Sequence, residues 1–170
     1  MRNIELKARL GDLEAARRVA ASLATRRVGA QRQTDTYFHC REGRLKLREI
    51  DGGESQLVWY ARPDRQGPKP SDYLLVPVGE PEGLRAALAA ALGVRAVVRK
   101  RREIFLVDNV RIHLDEVERL GCFLEFEAVL GPGTDDAHGH AQLARLAAAF
   151  SVADADLQPG SYAEMIERLP

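Results

Sequence analysis

Charged and apolar residues alternate with a period of two along much of this chain, and the alternation recurs from one segment to the next. Asn3-Ile4-Glu5-Leu6-Lys7 begins it, with an amide, a carboxylate and an ammonium on one side and Ile4 and Leu6 on the other. Successive side chains of a strand point to opposite faces, so each such segment reads as a β-strand with one apolar and one charged face. In Arg44–Glu49, Arg44, Lys46 and Arg48 share a face, with Leu45 and Leu47 behind them. In Val97–Phe105, Lys100 and Arg102 align with Val98 and Ile104, while Arg99 and Arg101 take the opposite side. Arg111, His113 and Asp115 align against Val110, Ile112 and Leu114, and Glu125 and Glu127 against Leu124, Phe126 and Ala128. One strand of this kind is an ordinary solvated face. Several leave two architectures open: a sheet with water on its charged side, or a closed antiparallel barrel whose charged faces line the inside.

The remaining segments place helices between strands. Asp12 is a helix cap before Leu13, Ala16, Ala20 and Leu23, a helix running to about Thr25. Strands are expected over Gln33–Phe38, Arg44–Ile50, Gln56–Arg62 and Tyr73–Val78, with turns at Glu42-Gly43 and Asp51-Gly52-Gly53. Pro81 opens a second helix that Gly93 stops. Three more strands follow, Ala96–Phe105, Val110–Asp115 and Phe123–Leu130, then a helix holding Leu143, Leu146 and Phe150. Ser161 with Glu164 three residues on is a capping box for the last helix. Asp64–Pro70 reads as an exposed loop, and residues 1–170 as one α+β domain without linker or repeat.

Composition excludes several functions. Lys+Arg and Asp+Glu both number 25, so no global field draws in nucleic acid or an anionic membrane, and any charge-based function needs local segregation. No apolar run reaches the about 20 residues that span a bilayer. Cys40 and Cys122 have neither metal-ligand spacing nor a secretory signal before them; they read as reduced, packed thiols in a cytoplasmic protein. Tyr37 and Tyr162 read as aromatics at the core's edge, and His113 as a structural hydrogen-bonder.

If the charged faces do share one interior, their chemistry is specific. Converging Lys and Arg side chains bind phosphate oxygens strongly when shielded from water. Lys7, Lys46, Arg48, Lys100, Arg102 and Arg111 are such a set. Glu5, Glu125 and Glu127 on the same wall suit Mg²⁺ or Mn²⁺, hard ions that bridge carboxylates to substrate phosphates.

Longer blocks add a resemblance. Glu5 and Lys7 match the end of an E-x-E-x-K strand; Gln33-Thr34-Asp35-Thr36-Tyr37-Phe38 resembles a Q-x-D-T-Y-F run, and Leu45-Lys46-Leu47-Arg48 an L-R-x-R strand. Lys100-Arg101-Arg102 resembles a K-x-R strand. Asp115, Val117, Leu120, Gly121, Phe123, Glu125 and Glu127 follow D-x-V-x-x-L-G-x-F-x-E-x-E, and Ser161-Tyr162 a final S-Y. In that order, over nearly the whole chain, these blocks resemble the CYTH family, the triphosphate tunnel metalloenzymes that include class IV adenylate cyclases, thiamine triphosphatases and inorganic triphosphatases.

The resemblance implies an eight-stranded antiparallel β-barrel flanked by helices, with a triphosphate held in its tunnel. Carried over, Lys7, Lys46, Arg48, Lys100, Arg102 and Arg111 bind phosphate, joined by Arg62 and Lys69 from a loosely matching stretch. Glu5, Glu125 and Glu127 ligate Mg²⁺ or Mn²⁺; Glu5, Lys7 and Asp115 are catalytic, Asp115 lying close to the metal or the nucleophile. The expected partner is a small-molecule triphosphate, namely ATP, inorganic triphosphate or thiamine triphosphate, with a homodimer left open. Attack by water makes the enzyme a triphosphatase; attack by a ribose 3′-hydroxyl makes it a cyclase; a non-catalytic polyphosphate binder is the alternative. Asn3 departs from the signature's first glutamate and puts a second metal in doubt. Lys46 departs too, replacing an arginine fork by a point charge.

Overall fold

The computed structural model describes residues 1–131 and 133–169. Its strands are β1 (Arg2–Arg9), β2 (Arg26–Phe38), β3 (Arg44–Ile50), β4 (Ser55–Ala61), β5 (Lys69–Val78), β6 (Val94–Val107), β7 (Val110–Val117) and β8 (Gly121–Val129). The helices are α1 (Leu13–Leu23), α2 (Pro81–Leu92), α3 (Asp136–Ala149) and α4 (Tyr162–Glu167). Every pairing is antiparallel, and the strands close in the order β1-β5-β4-β3-β2-β6-β7-β8 with β8 back against β1. The eight-stranded barrel flanked by helices is therefore the architecture, and the open solvated sheet is not. No helix among the described residues is long and apolar enough to cross a membrane.

Local signals set most boundaries. The Asp12 carboxylate accepts from the Ala15 amide at 2.9 Å, Pro81 is the first residue of α2, and Ser161 and Glu164 cap α4 reciprocally at 3.3 and 2.8 Å. Gly93 ends α2 with φ +78°, a conformation that costs glycine little. Five strands begin earlier than the pattern indicates: β2 at Arg26 rather than Gln33, β4 at Ser55 rather than Gln56, β5 at Lys69 rather than Tyr73, β6 at Val94 rather than Ala96, and β8 at Gly121 rather than Phe123.

The principal apolar core lies outside the barrel. Ile4, Leu6 and Ala8 of β1, Ile112 and Leu114 of β7, and Leu124, Phe126 and Ala128 of β8 point outward and pack with Ala16 and Ala20 of α1 and Leu143 and Leu146 of α3. The alternation of these strands thus has two buried faces, one against helices and one against the barrel's interior. β6 changes partners along its length: Ala96, Val98, Lys100 and Arg102 are buried inward, then Glu103 and Phe105 outward. A second cluster, Val98, Val117, Phe123 and Tyr37 with Tyr162 and Ala163, packs α4 against the barrel.

The contact between α3 and β1 leaves no slack. A Cβ on Gly139 would stand 2.8 Å from Ile4 Cγ1 and 3.2 Å from Leu130 Cδ2. Gly139→Val is expected to destabilise the protein by about 1–3 kcal/mol through overpacking. A urea midpoint unchanged or raised in the variant would show that the contact yields.

Candidate active site: a charged cavity inside the barrel

Inward-facing residues enclose a cavity of about 150 Å³. Ordinary interiors hold few voids larger than a water molecule, so this space is built rather than left over. Asn3, Glu5, Lys7, Lys46, Arg48, Arg62, Lys100, Arg102, Arg111, Glu125 and Glu127 all line it. Lys46 is 8% exposed and Lys100 5%, far from a solvated face.

On the cationic side, β3 and β6 flank β2, and Asp35 of β2 is wholly buried between them. Its carboxylate accepts from Lys46 Nζ at 2.9 Å, from Arg48 Nε and a terminal guanidinium nitrogen at 2.8 and 2.9 Å, and from Lys100 Nζ at 3.2 Å. Burial pushes the Asp35 carboxyl up, but Arg48, Lys100 and Lys46 outweigh it and hold it well below the usual carboxylate range. One anion cannot compensate three cations. Burial and the Arg102 charge bring Lys100 down to about 7 against the pull of Asp35, and burial and Arg48 bring Lys46 down to about 8.

The acidic side is built by β1, β8 and β7. Glu5 stands directly opposite Glu127 across the β1–β8 pair, and Lys7 opposite Glu125. Like charges in register repel; burial first, then Glu125 and Glu127, raise the Glu5 carboxyl despite Arg62 at 2.7 Å and Lys7. The Lys7 ammonium contacts Glu125 and lies 3.7 Å from the centroid of the Tyr162 ring. Burial works against Glu125 as well, but Lys7 and Arg102 keep it well below the usual range. Arg111 reaches Glu127 at 3.5 Å.

Among the described residues, the buried atoms without a hydrogen-bond partner are Asn3 Oδ1, Arg62 Nε, His113 Nδ1 and, on β2, Gln33 Oε1. Burial and the Arg102 charge lower the His113 pKa, which favours the neutral imidazole. Three inward carboxylates beside an unpartnered amide oxygen and imidazole nitrogen fit a divalent cation.

Several residues sit differently from expectation. Asp115 does not line the cavity; fully buried, it takes both arms of the Arg102 fork at 2.7 and 2.6 Å and the Tyr162 hydroxyl at 2.8 Å. Its oxygens hold Arg102 and Tyr162 in this structure. Lys69 is turned away from the cavity, its ammonium donating to the backbone carbonyls of Arg65, Pro159 and Gln158. Arg62, by contrast, belongs to the lining. Tyr37 and Tyr162 line the cavity instead of edging the core alone, and the place of Asp35 as shared counter-charge went unrecognised in the sequence. Asp35 shares inward parity with Gln33 and Tyr37, and a cationic interior needs an internal counter-charge; together these could have found it.

A closed antiparallel barrel whose inner wall is divided into a cationic and an acidic half defines a class of tunnel proteins. The chain belongs to the CYTH domain family, whose model matches residues 1–162. It is similar in structure to the PH1012 protein of Pyrococcus horikoshii OT3, at 27% identity over 95% of this chain and 98% of that one, with a TM-score of 0.85. A candidate adenylate cyclase from Vibrio parahaemolyticus is 21% identical over 97% of each chain, TM-score 0.78. A candidate adenylyl cyclase from Hippeastrum, described as having a dominant triphosphatase activity, is 15% identical over 99% of this chain and 97% of that one, TM-score 0.65. Among curated proteins the sequence has no match.

Proposed function

We propose that the protein is a divalent-metal-dependent enzyme that holds the triphosphate moiety of a small molecule, inorganic triphosphate or ATP, inside the barrel and catalyses transfer at one of its phosphorus atoms. The observation that carries this reading is the division of the interior: a cation cluster in surplus over its one buried anion, facing carboxylates that lie beside unpartnered ligand atoms. A purely structural ion-pair network would have no such surplus and no such orphans.

Each side chain then has a task. Lys46, Arg48 and Lys100 trade part of their bonding to Asp35 for phosphate oxygens. Lys7 and Arg111 leave Glu125 and Glu127 for the same oxygens, which frees those carboxylates. Arg102, its plane fixed by Asp115, presents charge to the position where negative charge grows during transfer. Arg62 restrains Glu5 until substrate arrives. Glu5, Glu125 and Glu127 would hold Mg²⁺ or Mn²⁺, which supplies charge neutralisation at phosphate oxygens.

The test is incubation with inorganic triphosphate, ATP and thiamine triphosphate, with and without Mg²⁺ or Mn²⁺. Metal-dependent phosphate release is the result expected of a triphosphatase, and cyclic AMP from ATP that of a cyclase. Tight binding without turnover of any of the three would overturn the enzyme reading in favour of a polyphosphate binder.

A pH effect follows from the lowered lysines. Bound polyphosphate favours the charged ammonium, so Lys100 and Lys46 should take up protons on binding at pH 8, above or near their free values of about 7 and about 8. Affinity is then greatest below pH 7 and falls as pH rises, by up to about tenfold per unit for each proton taken up. Calorimetry with inorganic triphosphate in two buffers of different ionisation enthalpy should show net uptake that shrinks in Lys100→Arg. Equal uptake in both proteins would remove Lys100 from the phosphate site.

A further inference from the structure

His113 of β7 stands directly opposite Glu125 in the β7–β8 register, and both face the barrel's interior. The residue is 3% exposed, and its Nδ1 has no hydrogen-bond partner. That nitrogen lies 3.6 Å from Glu125 Oε1 and 3.9 Å from Glu127 Oε1. Both distances exceed a hydrogen bond, and they are nearly equal. One ligand atom from each of the three side chains falls within 4.8 Å of the others. Ligands that share a hard octahedral ion at about 2.1 Å stand about 3 Å apart when adjacent. Closing even a pair at the 4.8 Å limit to that spacing takes about 1.8 Å, which two side chains can share.

We propose that His113 is a nitrogen ligand of the divalent-metal site, so that the site prefers Mn²⁺, Co²⁺ or Zn²⁺ to Mg²⁺; the inference rests on the metal-dependent reading of the cavity given above. Imidazole is a softer donor than carboxylate, and it favours first-row transition ions while offering little to Mg²⁺, which prefers oxygen. Asn3 works in the same direction. Its buried carbonyl faces the cavity without the charge of a glutamate, which lowers the electrostatic attraction on which a hard ion depends most.

The experiment is metal binding to the tag-free, substrate-free protein. Pulsed EPR of Mn²⁺-loaded wild type should show a coordinated-imidazole ¹⁴N coupling, and calorimetry should show Co²⁺ binding at least about tenfold more tightly than Mg²⁺. In His113→Gln the ¹⁴N coupling should vanish and the Co²⁺ advantage collapse, with Mg²⁺ affinity changed less than twofold. The wild-type spectrum stands whether or not the variant folds. Mn²⁺ bound without ¹⁴N coupling overturns the assignment of His113 and leaves the metal-dependent function intact. Failure of the wild type to bind any of these ions overturns both.

Discussion

Asp35→Asn should cost the ligand-free protein about 3–5 kcal/mol of stability, the usual penalty for removing one partner of a buried charge cluster. Asparagine preserves shape and one acceptor, so the loss isolates the charge. Lys46, Arg48 and Lys100 would be left buried without their shared anion. The two lysines can shed protons but the guanidinium cannot, so the deficit should be largest at low pH and shrink as the lysines neutralise. Inorganic triphosphate should restore more stability to the variant than to the wild type, since it supplies the missing charge and no longer competes with Asp35. Urea unfolding with and without inorganic triphosphate measures both effects. A variant as stable as the wild type, with no greater response to the anion, would mean that the cluster is solvated and that Asp35 is not its counter-charge.

Replacing Glu127 and replacing Arg102 should fail in different ways. Glu127→Gln is expected to lower metal affinity by at least about 100-fold, beyond the range for outer-shell changes, and with it metal-dependent turnover. Polyphosphate binding should survive or tighten, because Arg111 is released from its 3.5 Å contact. Arg102→Ala should weaken polyphosphate binding by about 1.5–3 kcal/mol, the contribution of one charged hydrogen-bonding group. Because Asp115 is then left buried without the fork, Arg102→Lys is the companion variant: it keeps the charge and loses the bidentate geometry. Equal loss of polyphosphate binding in Glu127→Gln and Arg102→Ala, with an unaltered metal requirement, would abolish the division of labour between the two halves of the cavity.

The faces of the strands were legible because a period of two is a local property. Val110–Val117 and Gly121–Val129 carry it almost unbroken, and β3 has the expected bounds. The first half of β2 was not legible. Arg26–Arg32 has largely exposed residues and no apolar alternation, and it is a strand because it pairs with the end of β6, from Arg26 opposite Leu106 to Arg32 opposite Arg101. Closure of the barrel was likewise beyond the pattern of residues, since β1 meets β5 and β8 only through long-range pairing. The site divides along the same line. Membership of the lining follows from parity, whereas partnership does not: nothing near Asp35 announces that its cations come from β3 and β6. Nothing near His113 announces the two glutamates on the neighbouring strand. Asp115 had the right parity, but nothing near it announces that both its oxygens accept from Arg102 of β6.

Helix α4 links the surface of the protein to the cavity. Arg44 anchors that helix, with its guanidinium at 2.6 Å from Glu164 and 2.6 Å from Asp64, while Tyr162 and Ala163 pack on Val98, Val117 and Phe123 below. The same helix carries Tyr162, which lines the cavity and donates its hydroxyl to Asp115 at 2.8 Å, and Asp115 in turn holds both arms of Arg102. A change at the surface contact of Arg44 is therefore felt inside the barrel, as a change in how firmly Arg102 is aimed.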